Sequence, residues 1–321
     1  VAALAKTMMG TMYFDGQTWM GWAPAKLNLF FEILNKREDG YHNVFSVCCP
    51  ITLYDTLYFL PKFGGNIEFS LKCCFSDRKT TDNTNIDTLF SADAQNLVVD
   101  ALELVRKTCH VQQAAQVKLL KRIPLQAGLG GGSSDAATAI MLANRAWNLG
   151  LSRDEMMGLG AKIGSDVPLF FIPGASFGTG RGESVTPVQT SFVFDIVVLK
   201  PPQGIATKDA FGHLVSMTRK TRNPEALIQG LKQGNRRQVF REMFNRFESV
   251  AFELHPKLES IKDTFARLDC PAFQMSGSGT AFFGICRNRR HASYVAGRLR
   301  SLHEGDVFQT HSISLLRRSR N

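Results

Sequence analysis

"PLQAGLGGGSSDAATAI", residues 124–140, places four glycines within five positions, then two serines, then a segment with helical spacing. Ala136, Ile140, Ala143 and Trp147 recur at i, i+4, i+7 and i+11, the period of one apolar helix face. Ser133 or Ser134 is expected as the N-cap and Gly150 as the stop, giving a helix of about four turns. A flexible linker would not run directly into such a segment. The stretch reads as a glycine loop feeding the N-terminus of a helix.

That junction suits an anion. The first N–H groups of a helix lack internal partners, and the helix dipole adds partial positive charge there. Glycines let the backbone approach a phosphate closely, and the serine hydroxyls add donors or a magnesium ligand. The loop is not the common nucleotide loop, whose G-x-x-x-x-G-K-[ST] pattern needs a lysine before the hydroxyl. It is not a dinucleotide fingerprint either, because no acidic residue ends a following strand at the required distance. Positive charge for a triphosphate must come from elsewhere in the chain.

With 321 residues the chain has room for two ordinary domains and a substantial core. Hydrophobic residues make up 44% and charged residues 21%, a soluble globular profile, and no apolar run reaches the length of a membrane span. The opening residues resemble neither a signal nor a transit peptide, so 1–21 are expected to be an unstructured extension. Seven cysteines include the adjacent pairs Cys48/Cys49 and Cys73/Cys74, without CxxC or zinc spacing. Reduced, mostly buried thiols follow, and no metal-ligating residue is expected. The formal charge of +10 fits nucleic-acid binding, an anionic substrate or simple solubility. Aromatics do not interleave with the basic runs "RRQVFREMFNR", "CRNRRH" and "LLRRSRN", so these read as solvated faces.

Along the chain, "APAKLNLFFEILN", "VFSVCCPITLYDTLYFL", "NIEFSLKCCF" and "AAQVKLLKRIPL" read as strands, and "NLVVDALELVRKTC" as an amphipathic helix. Residues 76–95 read as a long polar loop. "SRDEMMGLGAKIG" opens with a Ser152/Glu155 capping box and ends at Gly164. A glycine-rich β segment, a strand, helices to about 268, a strand pair around "MSGSGT", a helix from Arg289 and a final strand complete the chain. Strands and helices mix irregularly, which points to α+β.

Four ordered motifs carry a family resemblance: "APAKLNLFFEILNKREDGYHNV" at 23–44, "PLQAGLGGGSSDAA", "GSDVPLFF" at 164–171 and "MSGSGTAFFGI" at 275–285. They resemble the GHMP small-molecule kinases, which use a serine-bearing glycine loop in place of the lysine-bearing one. The resemblance covers roughly residues 22–315. The triple glycine and "DGYHN" are similar to the branch whose substrate is a cytidine diphosphate-linked methylerythritol. The implied fold is the two-domain GHMP kinase fold. A ribosomal protein S5 domain 2-like ATP-binding domain is expected at 22–183, and a ferredoxin-like substrate-binding domain at 184–321. The implied activity is ATP-dependent phosphorylation of a substrate hydroxyl, with magnesium. No nucleic-acid or membrane partner is implied, and a monomer or weak homodimer in a bacterial cytoplasm is expected, with a plastid as the other setting.

The resemblance assigns roles residue by residue. Asp166 is the implied base and Lys26 the cation that pairs with it and polarises the hydroxyl. Asn28, on the same strand face as Lys26, is implied to bond the hydroxyl or the aspartate. Pro124, Leu125, Gln126, Ala127, Gly128, Leu129, Gly130, Gly131, Gly132, Ser133 and Ser134 would hold the phosphates, with Asn96 and Lys121 near the adenine. Tyr41 would stack on cytosine, His42 would hydrogen-bond it, and Phe211 would complete the aromatic sandwich, with Thr207 at the start of its helix. Two alternatives stand beside this reading: a GHMP kinase acting on homoserine, a mevalonate derivative or a sugar, and an RNA-binding S5-like module. "DGYHN" speaks against the first, and Lys26 with Asp166 against the second.

Overall fold

The computed structural model describes residues 6–7, 10–74, 96–190, 192–205, 207–213 and 221–314. The chain divides into two compact units, each discontinuous in sequence: residues 1–24, 54–123 and 131–171 form one, and 25–53, 124–130 and 172–321 the other.

In the first unit, Gly10–Phe14 pairs antiparallel with the start of the strand Trp19–Lys36, with Tyr13 opposite Met20. Asp15 Oδ1 closes the turn by accepting from Gln17 N at 3.0 Å and Thr18 N at 2.8 Å. Residues 10–21 are therefore a hairpin, not the unstructured extension expected from composition. The "DG" between two apolar runs was its signal. From Thr56 onward, the strand His42–Lys62 pairs antiparallel with Ala114–Lys121, on whose other edge Glu68–Cys73 runs parallel. The helices Leu97–Cys109, Gly131–Ala146 and Arg153–Ile163 pack on one another. The capping box of Ser152 with Glu155 and the stop at Gly164 form as read.

The glycine-loop helix departs from its expectation in two ways. It starts at Gly131, so Ser133 and Ser134 lie inside its first turn instead of capping it. It is also buried on every side from Ser134 to Ala143, not along one stripe. Alanine at four of those positions lets neighbours approach all round, the pattern of a core helix. Trp147 just past its end packs edge-on to Phe59 and donates its indole N–H to Ala114 O at 3.3 Å.

In the second unit, four antiparallel strands lie in the order Ala272–Met275, Phe282–Cys286, Asp195–Lys200, Asp306–His311. Asp195–Lys200 comes first in sequence, so the chain order across the sheet is 2-3-1-4. Helices including Phe247–Leu254 and Glu259–Arg267 separate the first two strands in sequence, and Arg289–Leu302 separates the last two. This β-α-β-β-α-β succession is the expected ferredoxin-like arrangement. Its core gathers Val197, Leu199, Phe247, Phe265, Phe282 and Val295. The same unit contains Ser176–Thr179, which pairs with Ser46–Cys48 on one side and with Ser184–Pro187 on the other. Ser176–Thr179 and Ser184–Pro187 thus lie together in this unit.

Cys48, Cys49, Cys270 and Cys286 are buried, Cys74 is exposed, and all seven cysteines are free thiols. Among the described residues, no helix is long and apolar enough to cross a membrane. The polar stretch 76–95 and the basic end "LRRSRN" lie outside the described residues.

Candidate active-site residues

Within the second unit, Lys26 and Asn28 meet a glycine turn and the first half of the glycine loop. Both side chains are buried on one strand, and Lys26 Nζ donates to Asn28 Oδ1 at 2.5 Å. Asn28 Nδ2 donates to Ser46 Oγ at 2.8 Å, and Asn28 N donates to Ser276 Oγ at 3.2 Å. Ser276 Oγ in turn donates to Gly128 O at 3.0 Å, while Lys26 N donates to Leu129 O at 2.9 Å. Ala281 N and Thr280 N donate to the carbonyls of Ala127 and Gln126. The loop 124–130 is thus pinned between the Lys26 strand and "MSGSG". Gly128, at φ +71°, has no space for a Cβ, which would collide with the Ser276 carbonyl. Sequence reading marked the strands around "MSGSGT"; Ser46 and the Ser276 hydroxyl carried no signal at their distance in sequence.

The nucleoside-reading candidates also lie in this unit. The His42 ring stacks on Phe211, centroids 5.1 Å apart and 20° between planes, and Phe211 packs edge-on to Phe247 at 4.9 Å. Burial, with the charge of Lys36 nearby, holds the His42 pKa below its ordinary value, so the ring is neutral at pH 7 and carries one donor and one acceptor. Tyr41 is 55% exposed, and the Arg181 guanidinium lies 5.0 Å from its ring centre. Thr207 opens the helix Thr207–His213 that carries Phe211. His42 and Phe211 face each other directly, an arrangement that the sequence reading, with Phe211 opposite Tyr41, did not include.

In the first unit, the helix Gly131–Ala146 begins the way an anion site requires, with glycines in its first turn and no acid before Asp135. Beneath it sits a charge cluster. Lys121 Nζ donates to Asp135 Oδ2 at 2.7 Å and to Asp55 Oδ2, and all three side chains are buried. Asp55 Oδ1 also accepts from Ile123 N at 2.8 Å. Burial works against the Lys121 charge, but Asp135 and Asp55 outweigh it and hold its pKa above the ordinary value. Burial pushes Asp135 up to about 8 against the pull of Lys121. A Cβ at Gly131 would lie 2.7 Å from Lys121 Nζ, so glycine there makes room for the lysine. Lys121 was read as a contact near the adenine; its ammonium meets two carboxylates, neither of which the sequence reading singled out. Ser134 Oγ, Asp135 Oδ1 and Thr138 Oγ1 are buried without a hydrogen-bond partner.

Asp166 lies in the turn between Arg153–Ile163 and the short 3-10 helix Pro168–Phe171. Val167 through Phe171 are buried while Asp166 is half-buried, so apolar side chains anchor the turn and leave the aspartate outermost. Asn96 is the N-cap of Leu97–Cys109, its Oδ1 accepting from Val98 N at 2.9 Å. That bond uses the side-chain oxygen in holding the helix.

The sequence profile of the GHMP kinases N terminal domain matches residues 96–174, and that of the GHMP kinases C terminal matches residues 227–304. The 4-diphosphocytidyl-2-C-methyl-D-erythritol kinase of Geobacillus thermodenitrificans is 34% identical over 278 residues, 87% of this chain and 91% of that protein. Its namesake from Shouchella clausii is 32% identical over 298 residues, 92% of this chain and 94% of that protein. A crystal structure of 4-(cytidine 5'-diphospho)-2C-methyl-D-erythritol kinase matches with a TM-score of 0.74 at 27% identity, covering 92% of this chain and 99% of that one. A glycine loop without a lysine, a ferredoxin-like sheet and relatives at this identity over almost the whole length agree: the chain belongs to the GHMP kinase family, in the branch of the 4-diphosphocytidyl-2-C-methyl-D-erythritol kinases.

Proposed function

We propose that this kinase transfers the γ-phosphoryl group of ATP to the 2-hydroxyl of 4-diphosphocytidyl-2-C-methyl-D-erythritol, giving the 2-phosphate and ADP in non-mevalonate isoprenoid precursor biosynthesis. The observation that carries the choice of substrate is the neutral His42 imidazole stacked on Phe211, with the exposed Tyr41 one residue before it in the chain. A kinase of homoserine, mevalonate or a simple sugar has no base for such a group to read. The +10 charge supports an anionic substrate equally well as RNA, and the RNA alternative leaves Lys26 and Asp166 without a purpose.

In this reading Asp166 takes the proton of the 2-hydroxyl as its oxygen attacks the γ-phosphorus and the bond to the β-phosphate oxygen breaks, releasing ADP. The Lys26 ammonium, oriented by Asn28, stabilises the negative charge that grows on the attacking oxygen. Backbone N–H groups of 124–132 and the first turn of Gly131–Ala146 hold the phosphates, with Asn96 and Lys121 on the adenine side. The residues fit magnesium. The Ser134 hydroxyl has no protein partner, and Mg2+ bound with phosphates takes few protein oxygens and keeps several waters. Ser133 and Ser134 would hold it, and it would neutralise phosphate charge when bound. Residues 22–183 and 184–321 then serve mainly ATP and substrate respectively, in a monomer or weak homodimer of a bacterial cytoplasm.

A coupled assay for ADP release against a panel of alcohols tests the reading. Turnover of the cytidine compound, with its uridine analogue at least about 10²-fold worse in kcat/KM, is expected. The swap exchanges a donor and an acceptor that the groups around the base would read. Equal turnover of the two sinks the cytosine assignment. Activity on homoserine or mevalonate phosphate alone moves the enzyme to another branch.

A further inference from the structure

The ring of Tyr41 is more than half exposed, an unusual setting for an aromatic on which substrate recognition depends. Its backbone is fixed: Tyr41 N donates to Asp39 Oδ1 at 3.1 Å, and Arg37 N donates to Tyr41 O at 2.7 Å. Those bonds do not set the ring. The Arg181 guanidinium lies over it, 5.0 Å from the centroid, and covers one face. Arg181 is itself well placed. It is the central residue of the turn Gly180-Arg181-Gly182, where Gly180 O accepts from Val44 N at 2.7 Å and Gly182 N donates to Thr179 O at 3.0 Å. Arg181 N donates to Glu183 Oε2 at 2.6 Å, and its Nε lies 3.8 Å from Glu183 Oε1. The turn is therefore tied to the strand that begins one residue after Tyr41.

We propose that Arg181 is a positioning residue for substrate binding: its guanidinium backs one face of the Tyr41 ring and presents the other to the base. The inference rests on reading Tyr41 as a base-stacking residue. A planar guanidinium stacks on an aromatic face where a lysine ammonium does not, and a ring ordered in advance loses less freedom when substrate arrives.

Arg181→Met should raise KM for the cytidine substrate about 5- to 30-fold, with kcat and KM for ATP within about 2-fold of the unmodified enzyme. Arg181→Lys should recover little, since the charge returns without the plane. In a Tyr41→Ala background, Arg181→Met should add no further loss. Full recovery by lysine, equal losses in both backgrounds, or a parallel rise in KM for ATP would each overturn the proposal. Ring-labelled tyrosine, with the Tyr41 NMR signal identified through Tyr41→Phe, gives a readout that needs no substrate. Arg181→Met should shift and broaden that signal, and an unmoved signal overturns the proposal. Failure of the cytidine compound as a substrate would instead remove the functional reading and leave the ring signal to decide the role of Arg181.

Discussion

Lys26 and Lys121 are equally buried, each on a strand among apolar neighbours, and each makes a contact of a different kind. Lys121 lies between the carboxylates of Asp55 and Asp135, which neutralise it and leave the cluster with an excess of acid. Lys26 donates to the amide oxygen of Asn28, which orients an ammonium without cancelling its charge. Taking a charge out of water costs several kcal/mol, so a buried lysine is retained where something answers the charge. For Lys121 the answer is internal, and its product is a fixed floor under the first turn of the glycine-loop helix. The Asn28 contact gives Lys26 direction, and an amide partner adds no negative charge of its own beside the ammonium. One lysine supports the glycine-loop helix and the other is proposed to act in catalysis.

The strongest test of that contrast is the proposed catalytic pair. Asp166→Asn keeps size and most hydrogen bonds but removes the base, so kcat should fall by roughly 10²–10⁴ with ATP affinity little changed. Lys26→Met should cost on the order of 10²–10³ through lost stabilisation of the transition state. Single-turnover kinetics on the double mutant then decide whether the two act as a unit. A rate no slower than the worse single mutant says they do, and multiplication of the two losses says they act separately.

A sharper test makes Lys26 resemble Lys121. Asn28→Asp would give the ammonium a carboxylate in place of an amide, at nearly constant volume. The Ser46 hydroxyl can rotate to donate to the new carboxylate, so the fold should hold, and a melting temperature checks this. A carboxylate at position 28 would compete for the ammonium with the negative charge that grows on the attacking oxygen, so kcat should drop by roughly 10²-fold with ATP affinity retained. A variant at full rate would mean that Lys26 contributes position alone.

The sequence made some of this legible and not the rest, for reasons that can be named. Local signals were sufficient for the capping box at Ser152, the helix from Arg289 and the strands around "MSGSG", because caps and periodicity act over a few residues. Asp15-Gly16 was just as local, and its hairpin was missed because composition was weighed above turn chemistry. The Lys121 cluster could not be read. Asp55 is one acid in the apolar run "TLYDTLYFL", 66 residues from the lysine it meets, and only strand pairing brings them together. Asp135 carries no local signal of its own, and only the all-round burial of its helix turns it inward. The roles of Lys26, Asn28 and Asp166 came from family motifs, since a lone lysine or a turn aspartate has no periodic signature. Stacking of His42 on Phe211 joins residues 169 apart in sequence, and no pattern in either segment announces it.

The smallest effect belongs to the structural lysine. Asp135 is pushed up to about 8 in the fold because burial disfavours its charge more than Lys121 favours it. In the unfolded chain it titrates near 3.8. Between those values the folded protein holds a proton that the unfolded chain has released, so raising the pH favours unfolding. The stability that Asp135 contributes is therefore full below about pH 4, declines as pH rises toward 8 and is gone above it, with a slope of at most about 1.4 kcal/mol per pH unit. The raised pKa of Lys121 adds no slope in this window, since lysine stays protonated in both states. Asp135→Asn keeps an acceptor for the Lys121 ammonium and removes the titration. The unmodified enzyme should lose roughly 2–5 °C in Tm between pH 6 and 8 beyond what the Asn variant loses, and the variant should melt at least as high at pH 8. Parallel curves would mean that Asp135 is ionised throughout and that the cluster holds its excess negative charge even when buried.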